Sequence, residues 1–282
     1  MRFFSDLVLG FRSLIKAIRF IREHKFYYYM IVPAILMLFI YYLGSVLLSR
    51  QNTVEVTNMN EITWFLLYLL IEISIAVLMM KFAKYLVIAI LSPLISAISR
   101  KTDKILTGKT YEFTRQQLIH DLKRAYRIIL RNILWEYTFF LIIFIVSYFG
   151  WEEPRKSPVF YLTFVIGFFY YGFGFLDYIL ERKRMDIDES VSFVRKHRGL
   201  AVSIGFVYSV MILLPVDLGR MFNWSEFFVN PLEFISYFLL HLLLWLMASA
   251  APVITIVMAT ISMHELTDKN PSEAKRISNS DL

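Results

Sequence analysis

The chain has no cysteine. That excludes a disulfide framework, a thiolate zinc site and thiol chemistry, and it fits any compartment. Charge is scarce as well. Only 19% of the 282 residues are charged and 57% are hydrophobic, where soluble domains carry ~25% charge and ~45–50% apolar residues. No glycine-rich phosphate loop occurs, which argues against ATP chemistry within this chain. Histidines and acids do not cluster at metal-ligand spacings, so no metal is expected. Serine, histidine and aspartate are scattered, with no nucleophile elbow or zincin motif. Neither an enzyme nor a cofactor is therefore expected. The first 25 residues spread six basic residues throughout and hold no compact apolar core before a small-residue cleavage site. A cleavable signal peptide is not expected.

What is present is apolar sequence in long runs, with a mean hydropathy of +0.55. Residues 26–49 form a run of 24 without a charge, and a bilayer core needs ~20. This marks an integral membrane protein. Further apolar segments cover 62–99, 133–150, 159–176, 200–216 and 234–263. The second is 38 residues long, or ~57 Å as one helix, beyond a ~30 Å core. It must bend, leave the membrane or turn back, and Pro93 is a plausible bend. Lys81, Lys84, Ser92, Ser96 and Ser99 share one face of it, as an interfacial segment or the wall of a wet passage would. Pro252 marks a plausible break in the last segment. The fold class expected is all-α: a polytopic membrane protein with about six hydrophobic helical segments, some only half-penetrating.

Before the first span, Phe3, Leu7, Phe11, Leu14, Ile18 and Ile21 recur at helical spacing opposite Arg12, Lys16, Arg19 and Glu23. That pattern predicts an amphipathic interfacial helix; a helix packed on protein is the alternative. In MDIDESVSFVRKHRG, at 185–199, Asp186 and Glu189 fit a capping box and Gly199 a stop. The polar stretch from 266 to 282 reads as a flexible cytoplasmic tail behind a single membrane domain of 1–265.

The formal charge of +7 would suggest nucleic acid in a soluble protein. Here topology explains it, and no nucleic-acid partner is expected. Segments 1–25, 100–131, 181–198 and 264–282 hold 24 lysines and arginines, and segments 50–61, 151–158 and 217–233 hold 4. This alternation predicts both termini in the cytoplasm and up to six crossings of a bacterial inner membrane. In REHKFYYYMIVP, at 22–33, Arg22 and Lys25 mark the headgroup layer and Tyr27, Tyr28 and Tyr29 an aromatic belt.

Glu72 lies near the middle of a span, where a charge costs ~2.5–3.5 kcal/mol on insertion scales. It reads as an ion relay or as a structural hydrogen-bonding acid. Asp177, with Glu136, reads as a salt-bridging group at the membrane surface, and His241 as a neutral imidazole satisfied by its neighbours. Arg124, Arg127 and Arg131 share one helix face. They form either a stripe on lipid phosphates or the lining of an anion path.

Several stretches together resemble a known family. SPLISAISRKTDKILTGK (92–109) precedes the arginine-rich DLKRAYRIILRNI (121–133). FLDYILERKRMDIDESVSFVRKHRGLAVSIG (175–205), the most specific part, precedes ILLPV, and APVITIVMAT (251–260) stands near the end. In this order they resemble the CysZ-type sulfate permeases and the etoposide-induced membrane proteins, over about 10–265. The resemblance implies full crossings beside hairpins that enter partway, a homo-oligomer, and sulfate as the anion admitted. It also implies anion binding at a Gly-Leu-Arg step before the first span. Anchored on Pro33, this chain has Lys25, Phe26 and Tyr27 there, so the glycine and the arginine are absent. The expected activity is that of a permease or channel for a small oxyanion, with a non-transporting scaffold of the same fold as the alternative. The anion-binding candidates are Arg22, Lys25, Arg124, Arg127 and Arg131, and the lipid bilayer is the expected environment.

Overall fold

The computed structural model describes residues 2–39, 42, 85, 87–108, 115–153 and 156–269, with the backbone alone at 115–122 and 125. Among them the regular elements are helical, with no strand. Glu72, Lys81, Lys84 and most of the second apolar segment lie outside the described residues.

Helix α1 (Arg2–Glu23) packs on protein through Asp6, Leu9, Gly10, Ser13, Ala17, Phe20 and Ile21. These recur at three and four residues, as one helix face requires. The expected apolar stripe is divided. Ile21 is buried, Leu7, Phe11 and Leu14 are half-buried, and Phe3 and Ile18 are exposed beside Phe4, Val8 and Ile15. Small side chains allow close approach on the packed face. Asp6 is drawn into it by a buried partner: His197 Nδ1 donates to Asp6 Oδ2 at 3.0 Å, and His197 Nε2 meets Arg2 Nη2 at 3.2 Å. A guanidinium can only donate, so Nε2 accepts and Nδ1 carries the proton. Lys16 pairs with Glu265 at 2.7 Å, tying α1 to the last helix.

Helix α2 (Phe26–Phe39) opens with a 3-10 stretch at Phe26–Met30. Helix α3 (Ser92–Thr107) has Pro93 in its first turn and Gly108, at φ 73°, as its C-cap. Pro93 thus restarts a helix after a turn, since its missing N–H lies among those without an intrahelical partner. Helix α4 (Arg115–Gly150) has 36 residues, ~54 Å at 1.5 Å per residue. From Arg115 on, the cationic segment and the third span are one helix.

Helix α5 (Leu162–Arg182) is followed by α6 (Ile187–Lys196) and α7 (Arg198–Ile212). The capping box is present: Asp186 Oδ1 accepts from the Glu189 N–H at 2.7 Å, and Glu189 Oε2 from the Asp186 N–H at 3.1 Å. Gly199 is not the stop. Helix α6 ends at His197, and Gly199 is buried inside α7, which begins one residue later. Short helices α8 (Leu218–Met221) and α9 (Trp224–Val229) lead into α10 (Pro231–Lys269). Pro252 does not break α10, because Ala248, Ser249, Ala250 and Ala251 around the lost bond are packed in the core. Residues 266–269, assigned to the tail by sequence, are its last turn.

Among the described residues, three stretches are long and apolar enough to cross a membrane: Tyr126–Gly150, Pro158–Arg182 and Pro231–Asp268. The 15 residues of α7 reach only ~22 Å. Helices α5 and α7 form the centre. Every residue from Tyr170 to Leu180 is buried. A methyl at Gly172 would lie 1.8 Å from the Ala201 carbonyl oxygen, and one at Gly205 1.7 Å from that of Phe168. The backbones touch, as small residues permit between apolar helices.

The basic segments meet at one end of this bundle. Arg182 Nη1 donates to Ser99 Oγ at 2.8 Å and lies 3.5 Å from Asp103, while Ser99 and Thr260 hydroxyls are 3.1 Å apart. Ser92 and Ser99 are thus buried against protein.

Candidate functional site

The arginine face of α4 meets α5 and α6, and its three arginines take different environments. Arg124 is enclosed. Its Nη2 donates to Asp177 Oδ1 at 2.9 Å and to Ser190 Oγ at 2.8 Å, its Nε lies 3.4 Å from Asp177 Oδ2, and its Nη1 donates to the Met185 carbonyl. Glu181 stands 3.9 Å away. Burial works against the Arg124 charge, but the hydrogen bond and charge of Asp177 win, and its pKa rises above the ordinary guanidinium value. This bidentate pair at the foot of α5 locks α4 to the α5–α6 turn. Arg127 faces outward.

Arg131 lies between these extremes. It is half-buried, with its guanidinium carbon 5.1 Å from the centre of the Phe173 ring. Its Nε is buried without a hydrogen-bond partner. Burial first, and then the charge of the exposed Arg195 of α6, act against its charge, and Asp177 and Asp188 offset part of that. A stacked guanidinium with an unsatisfied buried donor has hydrogen-bonding capacity left to offer an acceptor.

The polar seam continues along α4. Asn132 is buried; its Nδ2 donates to the Tyr170 carbonyl at 3.4 Å, and its Oδ1 is unpartnered. One turn on, Glu136 accepts from Tyr85 at 2.5 Å and from Tyr171 at 3.2 Å. It lies within the Tyr126–Gly150 stretch and is held by two phenols, where its place in the sequence suggested a salt bridge at the membrane surface. The tyrosines stand 51 and 35 residues away in the chain, so no local pattern could have announced them. The Arg2–His197–Asp6 and Arg182–Ser99–Asp103 ties escaped notice for the same reason.

The N-terminal step sits at the same end. Arg22 and Lys25 are exposed. Lys25 has φ 57° and ψ 37°, left-handed backbone that glycine adopts without penalty. Lys101 reaches over this turn, 5.1 Å from the Phe26 ring centre and 5.2 Å from that of Tyr29. His241 lies toward the opposite end. Its Nδ1 donates to the Tyr237 carbonyl at 3.1 Å and its ring stacks on Tyr237 at 3.9 Å.

No curated protein and no solved structure matches the chain. The family described as sulfate transporter CysZ/etoposide-induced protein 2.4 matches residues 13–218. That stretch runs from the packed face of α1 to the start of α8 and contains Arg124, Arg131, Glu136, Asp177 and Arg195. It is more than half of the chain, and its basic end is the arginine seam. The chain belongs to the sulfate transporter CysZ/etoposide-induced protein 2.4 family.

Proposed function

We propose that the chain is a permease or channel for a small oxyanion, with sulfate the leading candidate. It sits in a bacterial inner membrane with both termini cytoplasmic and works as a homo-oligomer. Arg131 carries this reading: its buried, unpartnered Nε beside Arg195 is the donor an incoming oxyanion would satisfy. Arg127 and Arg195 draw the anion to the basic end, and the Arg124–Asp177 pair holds the helices in place without binding it. Family membership supports the substrate class, and the lysine and arginine distribution supports the orientation.

A non-transporting scaffold is the second reading, favoured by Lys25-Phe26-Tyr27 standing at the Gly-Leu-Arg step. Expression in a cysteine auxotroph lacking sulfate uptake separates the two. Growth on low sulfate is the expected result. No growth, beside a relative with the intact step that does restore it, would sink the sulfate assignment.

A further inference from the structure

Among the described residues of α4, two side-chain atoms are buried without a hydrogen-bond partner, and they are opposite in kind. Arg131 offers a donor, its Nε, and the next residue, Asn132, an acceptor, its Oδ1. Asn132 is fully buried. The Tyr170 carbonyl can only accept, so the amide nitrogen of Asn132 faces it, at 3.4 Å, and the amide oxygen turns away. Both side chains rest on one turn of α5. Arg131 stacks on Phe173 and Asn132 bonds Tyr170, which lie ~4.5 Å apart along the helix at 1.5 Å per residue. The charges of Arg131, Arg195 and Glu136 all act on the Tyr170 hydroxyl, so the cationic and acidic sides of the seam border the same residue.

A buried donor or acceptor left unsatisfied costs free energy, and a ligand that answers both recovers more than one that answers either. Sulfate has acceptors alone. It can take the Arg131 hydrogen, but it sets oxygen against the Asn132 oxygen. The hydrogen phosphate dianion has the same tetrahedral shape and the same charge, with one O–H in addition. It can accept from Arg131 and donate to Asn132. Glu136, one turn on, is already engaged: Tyr85 and Tyr171 donate to its two oxygens.

We propose that Arg131 and Asn132 form a mixed donor–acceptor seat, which prefers an oxyanion carrying its own hydrogen over fully ionised sulfate. Sulfate still enters the seat and is held less tightly. Asn132 is the specificity-determining residue. The preference rests on the chain being an oxyanion permease, and it ranks the anions within that class.

The test is equilibrium dialysis of full-length protein in detergent with labelled sulfate and, separately, labelled phosphate, at a mildly alkaline pH where phosphate is the dianion. Hydrogen phosphate should displace either label at roughly tenfold lower concentration than sulfate does, the effect of one buried hydrogen bond. Hydrogen arsenate should follow phosphate and selenate should follow sulfate, because the hydrogen and not the size divides them. Asn132→Leu should bring the four anions level while sulfate keeps its own affinity. Equal displacement by hydrogen phosphate and sulfate in the wild type would overturn the proposal, the two groups then sharing a water. A ranking that follows size, or one that persists in folded Asn132→Leu, would overturn it too. If the leucine variant does not fold, the wild-type ranking of the four anions decides. Binding of neither label would overturn the oxyanion reading itself, and the seat with it.

Discussion

Arg124 and Arg131 sit two turns apart on one helix and face different consequences of substitution. Arg124 is a buried partner of Asp177. Asp177→Asn leaves its guanidinium enclosed with one charge uncompensated, a loss of about 3–5 kcal/mol for breaking such pairs. Replacing both, as Arg124→Met with Asp177→Leu, should recover most of it; thermal unfolding in detergent reads the difference. Arg131 is held by a ring and an unsatisfied donor, so its loss should leave folding intact and reduce flux. A hydrogen bond to a charged group contributes about 1.5–3 kcal/mol, and tenfold corresponds to about 1.4 kcal/mol. Arg131→Met should therefore lower oxyanion flux by roughly tenfold or more, and Arg131→Lys by less, since an ammonium keeps the charge without the fork. At the first turn, Lys25 already has the backbone of a glycine. Lys25→Gly with Tyr27→Arg should strengthen sulfate binding, measured by calorimetry, if that step is an anion site in this chain.

Among the elements, α5 and α7 depend on contact between backbones. Gly205→Ala would put a methyl 1.7 Å from the Phe168 carbonyl. The helices must separate, and a loss beyond the usual ~1–3 kcal/mol of overpacking is expected as lower yield and melting temperature. The α8–α9 segment should respond to pH. Asp217 is held below its ordinary value of 3.8, first by the Arg220 backbone N–H and with help from the Tyr237 hydroxyl. A lowered folded pKa gives stability that is full above 3.8 and fades as pH falls through the folded value. Hydrogen exchange across α8 should accelerate only in that acid window. Elements governed by local chemistry were legible in sequence: the Asp186–Glu189 box joins residues three apart, and the charge-poor runs within the described residues are largely helical. The packing of α1 was not, because Asp6 finds its partner 191 residues away. The join of α6 to α7 was missed because Gly199 looked like a stop. Its role is to be small inside a buried helix.

Across the whole molecule, charge organises one end and apolar surface the other. Among the described residues, three crossing-length helices, a shorter α7 and a half-buried α1 gather the basic segments around the arginine seam. Membrane character and the positive end could be read from composition and spacing. Which arginine would be sealed and which left open could not, since that depends on whether Asp177 or the Phe173 ring lies opposite. The most direct measurement is radiolabelled sulfate uptake into liposomes holding purified protein, wild type beside Arg131→Met. The account predicts saturable uptake by the wild type and roughly a tenth or less of it in the variant. No uptake by folded wild type, or equal uptake by the two, would contradict it.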